Sequence, residues 1–342
     1  MSAPPIPTSL QKSLDATKVE YVNLGTSGLK VSVPILGGMS LGSSEWQNWV
    51  LDEEESCEIL KAAYDRGINT WDTANMYSNG VSEKVIGKAI KKYNIPREKL
   101  VLMTKCAIHV GEETSMFAPM YAQQLGQSKD YVNQGGLSRK TIFKAVDDAL
   151  SRLGTTYIDL FQIHRFDPTT PIEETMKALH DLVQTGKILY IGASSMWATQ
   201  FAQMQFVAEK NGWTKFVSMQ NFYNLVYREE EREMNRFCKE TGAPKAEKTS
   251  ARSQIKGLMN PGLTEADENI IRRVEEVAEK KGWSMSHVAL AWIRSKGGVP
   301  ITGFNSVKRI DEAGELRGKT LTEDEVKYLE EPYVPKNIVG HY

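Results

Sequence analysis

The sequence has no surplus of charge of either sign: 42 Lys and Arg stand against 43 Asp and Glu, a formal net charge of −1. That balance offers no net basic field to nucleic acid or to an anionic membrane surface. Cysteine is scarce as well. Cys57, Cys106 and Cys238 lie far apart and form no C-x-x-C pair. Neither disulfide nor metal-ligand spacing is present, which fits a reducing cytosol and a cytoplasmic protein. The five histidines are scattered with no H-x-x-x-H, so no metal is assigned. No stretch approaches the ~20 apolar residues of a membrane helix. Residues 1–18 are rich in Pro, Ser and Thr and lack the apolar core of a signal peptide. They read as a disordered tail ahead of a single domain, residues 19–342.

What the chain does have is alternation. With 41% hydrophobic and 25% charged residues, its composition is that of a soluble globular protein. Tyr21-Val-Asn-Leu, Gly25-Thr-Ser-Gly28 and Leu29-Lys-Val-Ser read as a β-hairpin around a glycine-bounded turn. Short apolar runs follow at Val33–Leu36, Ile68–Trp71, Leu100–Thr104, Tyr157–Ile163, Ile188–Ile191, Phe216–Met219 and Val299–Ile301. Continuous runs of this kind are what strands covered on both faces look like. Between them lie amphipathic segments. Ile142, Val146, Ala149, Leu150 and Leu153 share one helical face, with Ser138 placed as N-cap and Gly154 as terminator. Such alternation predicts a parallel sheet with right-handed connections. An open doubly wound sheet usually opens on G-x-G-x-x-G, and Leu36-Gly-Gly-Met-Ser-Leu-Gly42 does not match it. The expected fold class is α/β, a (β/α)₈ TIM barrel.

The residues that end the apolar runs carry the chemistry. Asp72 follows Trp71, Lys105 follows Thr104, His164 follows Ile163, Ser194-Ser195 follow Gly192-Ala193, and Gln220 follows Met219. In a parallel barrel all of them reach the carboxyl-end rim, where barrel enzymes build their sites. Tyr77 comes soon after Asp72, near enough for its loop to fold over the same mouth. Singly, each has a plain structural role open to it: a turn cap, a solvated charge, a core histidine, a surface aromatic. Together they read as a catalytic cluster. A phenol titrates near pH ~10 and keeps its proton at neutral pH. An adjacent ammonium favours the phenolate and eases release of that proton. Lys105 would supply the charge, Asp72 would hold Lys105 in a buried ion pair, and His164 would orient the substrate oxygen. Without a metal or an activated Ser or Cys, the set suits carbonyl reduction. The hydride must then come from a cofactor, because no side chain can supply one.

On these residues the sequence resembles the aldo-keto reductases. Asp72-Thr-Ala-Asn-Met-Tyr77, Thr104-Lys105 and Gln162-Ile-His164 match that family's Asp/Tyr/Lys/His tetrad. Residues 21–32 look like its barrel-bottom plug, and the segment from Gln220 to Met234 is similar to fungal versiconal hemiacetal acetate reductase-like members. The resemblance covers residues 19–242 and 257–332. It implies a barrel that binds NADPH without a Rossmann fold, with Tyr77 as proton donor supported by Asp72, Lys105 and His164. It also implies that Ser194, Ser195 and Gln220 hold the cofactor's carboxamide, with Tyr223 stacked on the nicotinamide ring. Gly303, Asn305 and Arg309 stand where the family grips the adenosine phosphate. Arg309 suits a 2′-phosphate, since guanidinium pairs with phosphate bidentately; an exposed helix position is the alternative.

One segment departs from the pattern. Where the family places its seventh strand, this chain reads Ala243-Pro-Lys-Ala-Glu-Lys-Thr-Ser-Ala-Arg-Ser-Gln-Ile-Lys256. On composition it is excluded from a fully buried central strand. The barrel is therefore expected to be incomplete at strand seven, with weakened NADPH binding because the loop over the pyrophosphate is missing. Three readings follow: a mis-spliced or mis-translated product, a divergent reductase, or a cofactor-impaired barrel acting as a binding or regulatory protein. At the rim, Trp46, Trp49, Met116, Phe117, Arg165, Phe166 and Trp197 either cover the barrel end or line a pocket for a small, aromatic carbonyl substrate.

Overall fold

In the computed structural model, residues 4–242, 245–249 and 263–341 are described. The hairpin forms from β1 (Glu20–Asn23) and β2 (Lys30–Val33), paired antiparallel. Eight parallel strands follow: β3 (Ile35–Gly37), β4 (Thr70–Asp72), β5 (Val101–Cys106), β6 (Ile158–Ile163), β7 (Ile188–Ser194), β8 (Ser218–Phe222), β9 (Lys245–Thr249) and β10 (Val299–Thr302). They close as a barrel in chain order, β10 pairing back onto β3. Each apolar run singled out in the sequence lies on or beside one of these strands.

Period-two alternation sorts the strand residues into two layers. Leu36, Trp71, Leu102, Phe161, Ile163, Ile191 and Met219 face outward into one core with Leu60, Ile86, Ile142, Val146, Met176 and Leu179 of the surrounding helices. Ile35, Val101, Met103, Leu160, Val299 and Ile301 face inward and pack with Leu24, Val31 and Val33 of the hairpin. The hairpin therefore plugs the amino end of the barrel, as the family resemblance implied. At the same end Arg97 ties β5 to β6. Its guanidinium meets Asp159 Oδ2 at 2.5 Å and donates to the Leu100 and Tyr157 carbonyls, each at 3.0 Å. The helix Arg139–Leu153 begins at Ser138, whose side chain accepts from the Thr141 N–H, and ends at Gly154 in the left-handed region.

Two expectations are corrected. Thr8–Ala16, within the segment read as a disordered tail, is a helix that buries no residue; local hydrogen bonding without tertiary packing accounts for it. The seventh strand is not missing. Lys245–Thr249 pairs with β8 from Met219↔Lys245 to Phe222↔Lys248 and with β10 from Val299↔Ala246 to Thr302↔Thr249. Composition describes which side chains suit a strand, whereas a ladder needs only backbone N–H and C=O groups. Without this segment the two flanking strands would each present an unpaired row. Pro244, which has no N–H to give, stands one position ahead of the strand. The loop expected to be absent after it falls within 250–262, outside the described residues.

No helix among the described residues is long and apolar enough to cross a membrane. One close approach between helices is specific to glycine. A Cβ at Gly87, in the helix Val81–Lys92, would lie 2.7 Å from the Leu153 carbonyl oxygen and 2.8 Å from that of Arg152. Gly87→Ala gains helix propensity of up to about 1 kcal/mol, yet must push two backbones apart. We expect a net loss of about 1–3 kcal/mol, read as a lower urea midpoint at unchanged m-value.

Candidate active site

The inward parity that fills the barrel with Met103 and Leu160 places the next inward residues at its carboxyl end. These are Asp72 on β4, Lys105 on β5, Gln162 on β6, Ser194 on β7 and Ser218 and Gln220 on β8, with His164 just beyond β6. All are buried. Lys105 Nζ donates to both oxygens of Asp72, at 2.8 and 2.6 Å, and to the Thr73 carbonyl at 2.8 Å. Gln162 Nε2 donates to Asp72 Oδ1 at 3.0 Å. A Cβ at position 192 would stand 3.1 Å from Gln162 Cγ and 2.5 Å from Ser218 Oγ, so Gly192 leaves Gln162 room to cross toward Asp72. Burial pulls the Lys105 ammonium below its ordinary pKa, and Asp72 opposes that shift.

Tyr77 reaches this pair from the turn Tyr77–Gly80 that follows β4. Its ring centroid lies 5.4 Å from Lys105 Nζ, and its ring meets the His164 imidazole edge-on at 5.9 Å. The turn is held by Asn79, which takes a left-handed φ of 51°. Asn79 donates to the carbonyls of Glu113 and Met116, at 2.9 and 2.6 Å, and accepts from the Gly111 N–H at 2.9 Å. The loop after β5 is thereby drawn over the mouth.

That clamp brings Phe117 to Trp46 at 5.6 Å. Trp46 in turn lies 6.5 Å from Tyr77 and 6.3 Å from Trp49. Trp46, Trp49 and Phe117 therefore cap the tetrad, beside Met39 and Met76. Arg165, Phe166 and Trp197 are arranged differently. Arg165 donates to the carbonyl of His164 at 2.6 Å, which fixes the backbone that carries the imidazole. Phe166 packs against the layer between sheet and helices. Trp197 is largely exposed and packs on His341 at 5.0 Å.

The residues expected to hold a cofactor divide. Ser195 sits with a positive φ of 39°, and its N–H donates to Gln220 O at 3.1 Å and Asn221 Oδ1 at 3.2 Å. Gln220 Nε2 and Asn221 Nδ2 are buried and find no acceptor among the described residues. Donors left in that state cost ~1–3 kcal/mol each unless something accepts from them. An incoming acceptor would satisfy them, and of the three residues expected there Gln220 carries such a free donor. Gly303, Asn305 and Arg309 surround the start of the helix Val307–Gly314, with Asn305 and Arg309 exposed. Arg309 enters no ion pair among the described residues.

Tyr223 does not fit its expected place. Its ring is wholly buried and stacks on Trp292 at 5.1 Å, in a cluster with Val274 and Val288 of two outer helices. Its hydroxyl donates to Glu231, which also takes Arg228. That packing turns its ring to the outer helices and away from the cluster around Tyr77; the position after Gln220 in sequence did not settle its direction.

The C-terminal segment also reaches the rim, and nothing in the sequence signalled it. Lys336 N–H donates to Glu229 Oε1 at 2.6 Å, Val339 N–H to Tyr227 Oη at 2.9 Å, and His341 Nε2 lies 3.5 Å from Glu230 Oε1. Burial pushes the Glu230 carboxyl up to about 8, against the pull of Arg165.

Comparison with known proteins agrees with this geometry. The model of the Aldo/keto reductase family matches residues 35–333. The chain belongs to that family. An aldo-keto reductase of Fusarium vanettenii is 56% identical over 359 aligned positions, covering 98% of this chain and 97% of the relative. Versiconal hemiacetal acetate reductase of Aspergillus parasiticus is 49% identical, with 94% and 98% covered. A putative aryl-alcohol dehydrogenase of Saccharomyces cerevisiae is 44% identical, with 93% and 98% covered. The crystal structure of a thermostable aldo-keto reductase in complex with the inhibitor epalrestat superposes with a TM-score of 0.71. It is 28% identical, with 92% of this chain and 99% of that one covered. The Fusarium alignment spans 359 positions and this aldo-keto reductase has 342 residues. At least 359 − 342 = 17 positions therefore face a gap in this chain.

A buried ion pair is costly to desolvate, and breaking one side of it costs more than replacing both. Asp72→Asn should cost about 3–5 kcal/mol, because it strands the ammonium. The double variant Asp72→Asn/Lys105→Met should recover most of that loss while remaining inactive. Urea unfolding of the two variants beside the native protein checks both statements.

Proposed function

We propose that this chain reduces an aldehyde or ketone to the alcohol, with Tyr77 as proton donor and NADPH as the hydride source. The observation that carries the reading is the convergence of Tyr77, Lys105, Asp72 and His164 at one end of the barrel, under an aromatic cap. The Lys105 ammonium favours charge on the phenolic oxygen as its proton leaves. Asp72 and Gln162 hold Lys105 in place, so that little reorganisation is needed at the moment of transfer. His164 is placed to donate a hydrogen bond to the carbonyl oxygen and fix the face presented. Trp46, Trp49 and Phe117 exclude water and offer ring surfaces to an apolar substrate. When bound, a reduced nicotinamide supplies the hydride that no side chain can give. Ser194, Ser195 and Gln220 would hold its carboxamide, and Arg309, beside Gly303 and Asn305, the 2′-phosphate that distinguishes NADPH from NADH.

The presence of putative aryl-alcohol dehydrogenases among the relatives supports an aromatic aldehyde as the substrate of this chain. The relatives' extra positions favour a second reading, a barrel too poorly equipped at the pyrophosphate to bind cofactor and acting as a binding or regulatory protein. Measuring NADPH binding and aldehyde-dependent NADPH oxidation on the same preparation separates the two, since the second reading requires neither.

Tyr77→Phe should lower kcat by about 10²–10⁴-fold, the usual worth of a positioned acid, while NADPH affinity stays the same. Retained turnover in that variant would remove the proton-donor assignment. Arg309→Leu should weaken NADPH by about 10–100-fold, as expected for a lost charge-assisted contact of ~1.5–3 kcal/mol. It should leave NADH untouched, and equal losses for both cofactors would count against the phosphate assignment.

A further inference from the structure

The side of β5 that faces away from the tetrad carries a second buried ion pair. Glu83, fully buried, accepts from Thr104 Oγ1 at 2.6 Å and from Arg152 Nε at 2.6 Å. Thr104 is the outward neighbour of Lys105 on the same strand. Glu83 lies in the first turn of the helix that begins where the Tyr77–Gly80 turn ends. Its neighbour Ser82 shares a hydrogen bond with Thr73 Oγ1 at 2.8 Å and donates to the Gly38 carbonyl at 2.9 Å. Thr73 is the residue whose own carbonyl accepts from Lys105 Nζ. Two adjacent residues of one helical turn therefore grip the neighbours of both members of the catalytic ion pair. Arg152 extends the frame to the acid. A Cβ at Gly80 would lie 2.8 Å from Arg152 Cδ, so the guanidinium stem closes directly on the end of the Tyr77 turn.

We propose that Glu83 and Arg152 are positioning residues, which lock the turn carrying Tyr77 and the strand carrying Lys105 into one spacing. The inference rests on Tyr77 as proton donor and adds how the donor is kept against its ammonium. A catalytic group displaced by about 1 Å can cost about 10²-fold in rate. The other buried charged tie on this face of the strand, from the Leu102 N–H to Asp159 Oδ2 at 2.9 Å, lies nearer the amino end, away from Lys105. Glu83 also bears on Lys105 electrostatically. The charged groups around that ammonium are Asp72, which holds it, Arg165, which opposes it, and Glu83, which favours it. Around Glu83 stand the Cys106 thiol, which burial and then this carboxylate keep protonated, and Arg152, whose other neighbouring carboxylate is Asp148 at 4.0 Å.

A pair that served stability alone would move the unfolding midpoint and nothing else. Two variants separate the cases. Thr104→Val keeps the shape of the side chain and removes only the hydroxyl. It should lower kcat by about tenfold, with KM, NADPH affinity and the pH profile unchanged. Glu83→Gln keeps an acceptor and removes the charge. It should lower kcat and move the alkaline limb of its pH profile down by about half a unit, because the ammonium is less well held; Glu83→Asp should restore the limb. Arg97→Met, which breaks the pair at the opposite end of the barrel, should lower the urea midpoint and leave kcat as it is. Normal kcat in Thr104→Val overturns the proposal, even if Glu83→Gln does not fold. A Glu83→Gln protein that folds with native kcat and native pH profile overturns it as well. Turnover surviving in Tyr77→Phe would instead strike the proton-donor reading, so the two failures are told apart.

Discussion

An ammonium held with no contact to water is the constraint around which this barrel is arranged. Burial pulls Lys105 toward neutrality, and Asp72 with the Thr73 carbonyl keeps its proton in place. Desolvating two charges takes several kcal/mol from each, and their attraction recovers it only if the remaining hydrogen-bonding positions are filled. Gln162 fills one on Asp72, and Gly192 leaves Gln162 the space to do so. A hydrophobic pair would serve the fold as well or better. On the proposed reading its use lies in charge placed beside a phenol, and the fold supplies what that charge needs.

The rest of the site follows from one rule of strand geometry. Side chains two apart share a face, so the residues that continue the inward rows of Met103 and Leu160 are Lys105 and Gln162. The outward rows continue as Thr104 and reach the helices. One strand thus carries the ammonium on one side and its anchor to Glu83 on the other. The amino end is stoppered by Leu24, Val31 and Val33 of the hairpin and braced by the Arg97–Asp159 ion pair. The apolar plug and the polar cluster thus stand at opposite ends of the same cylinder.

Much of this was legible in the chain. The tetrad could be read because each member directly ends or closely follows an apolar run, and parallel topology sends all run ends to one rim. The hairpin plug, the Ser138 cap and the Gly154 stop were legible for local reasons, since turn and cap chemistry acts within a few residues. Tyr223 was misplaced because its direction depends on Trp292, which is distant in sequence. Lys245–Thr249 was misread as unable to form a strand because closure of a ring is a demand of its neighbours' backbones, and no side chain records it. Asn79, Gln162 and the C-terminal segment against Glu229 and Glu230 carry no local signature. Their partners stand tens of residues away or more.

The sequence by itself determined the alternation of strand and helix, the end of the barrel at which the polar residues gather, and the family that owns the tetrad. Those are properties of residue order, patterned at a period of two or 3.6. Only the tertiary structure decided which aromatics cap Tyr77, that Arg165 holds the His164 backbone, and that Glu83 stands behind Lys105. The cap and the Glu83 contact depend on segments brought together by packing, where distance in space is set by the closed sheet and the helices around it. The Arg165 contact joins neighbours in sequence, but the direction of its side chain is set by what surrounds it.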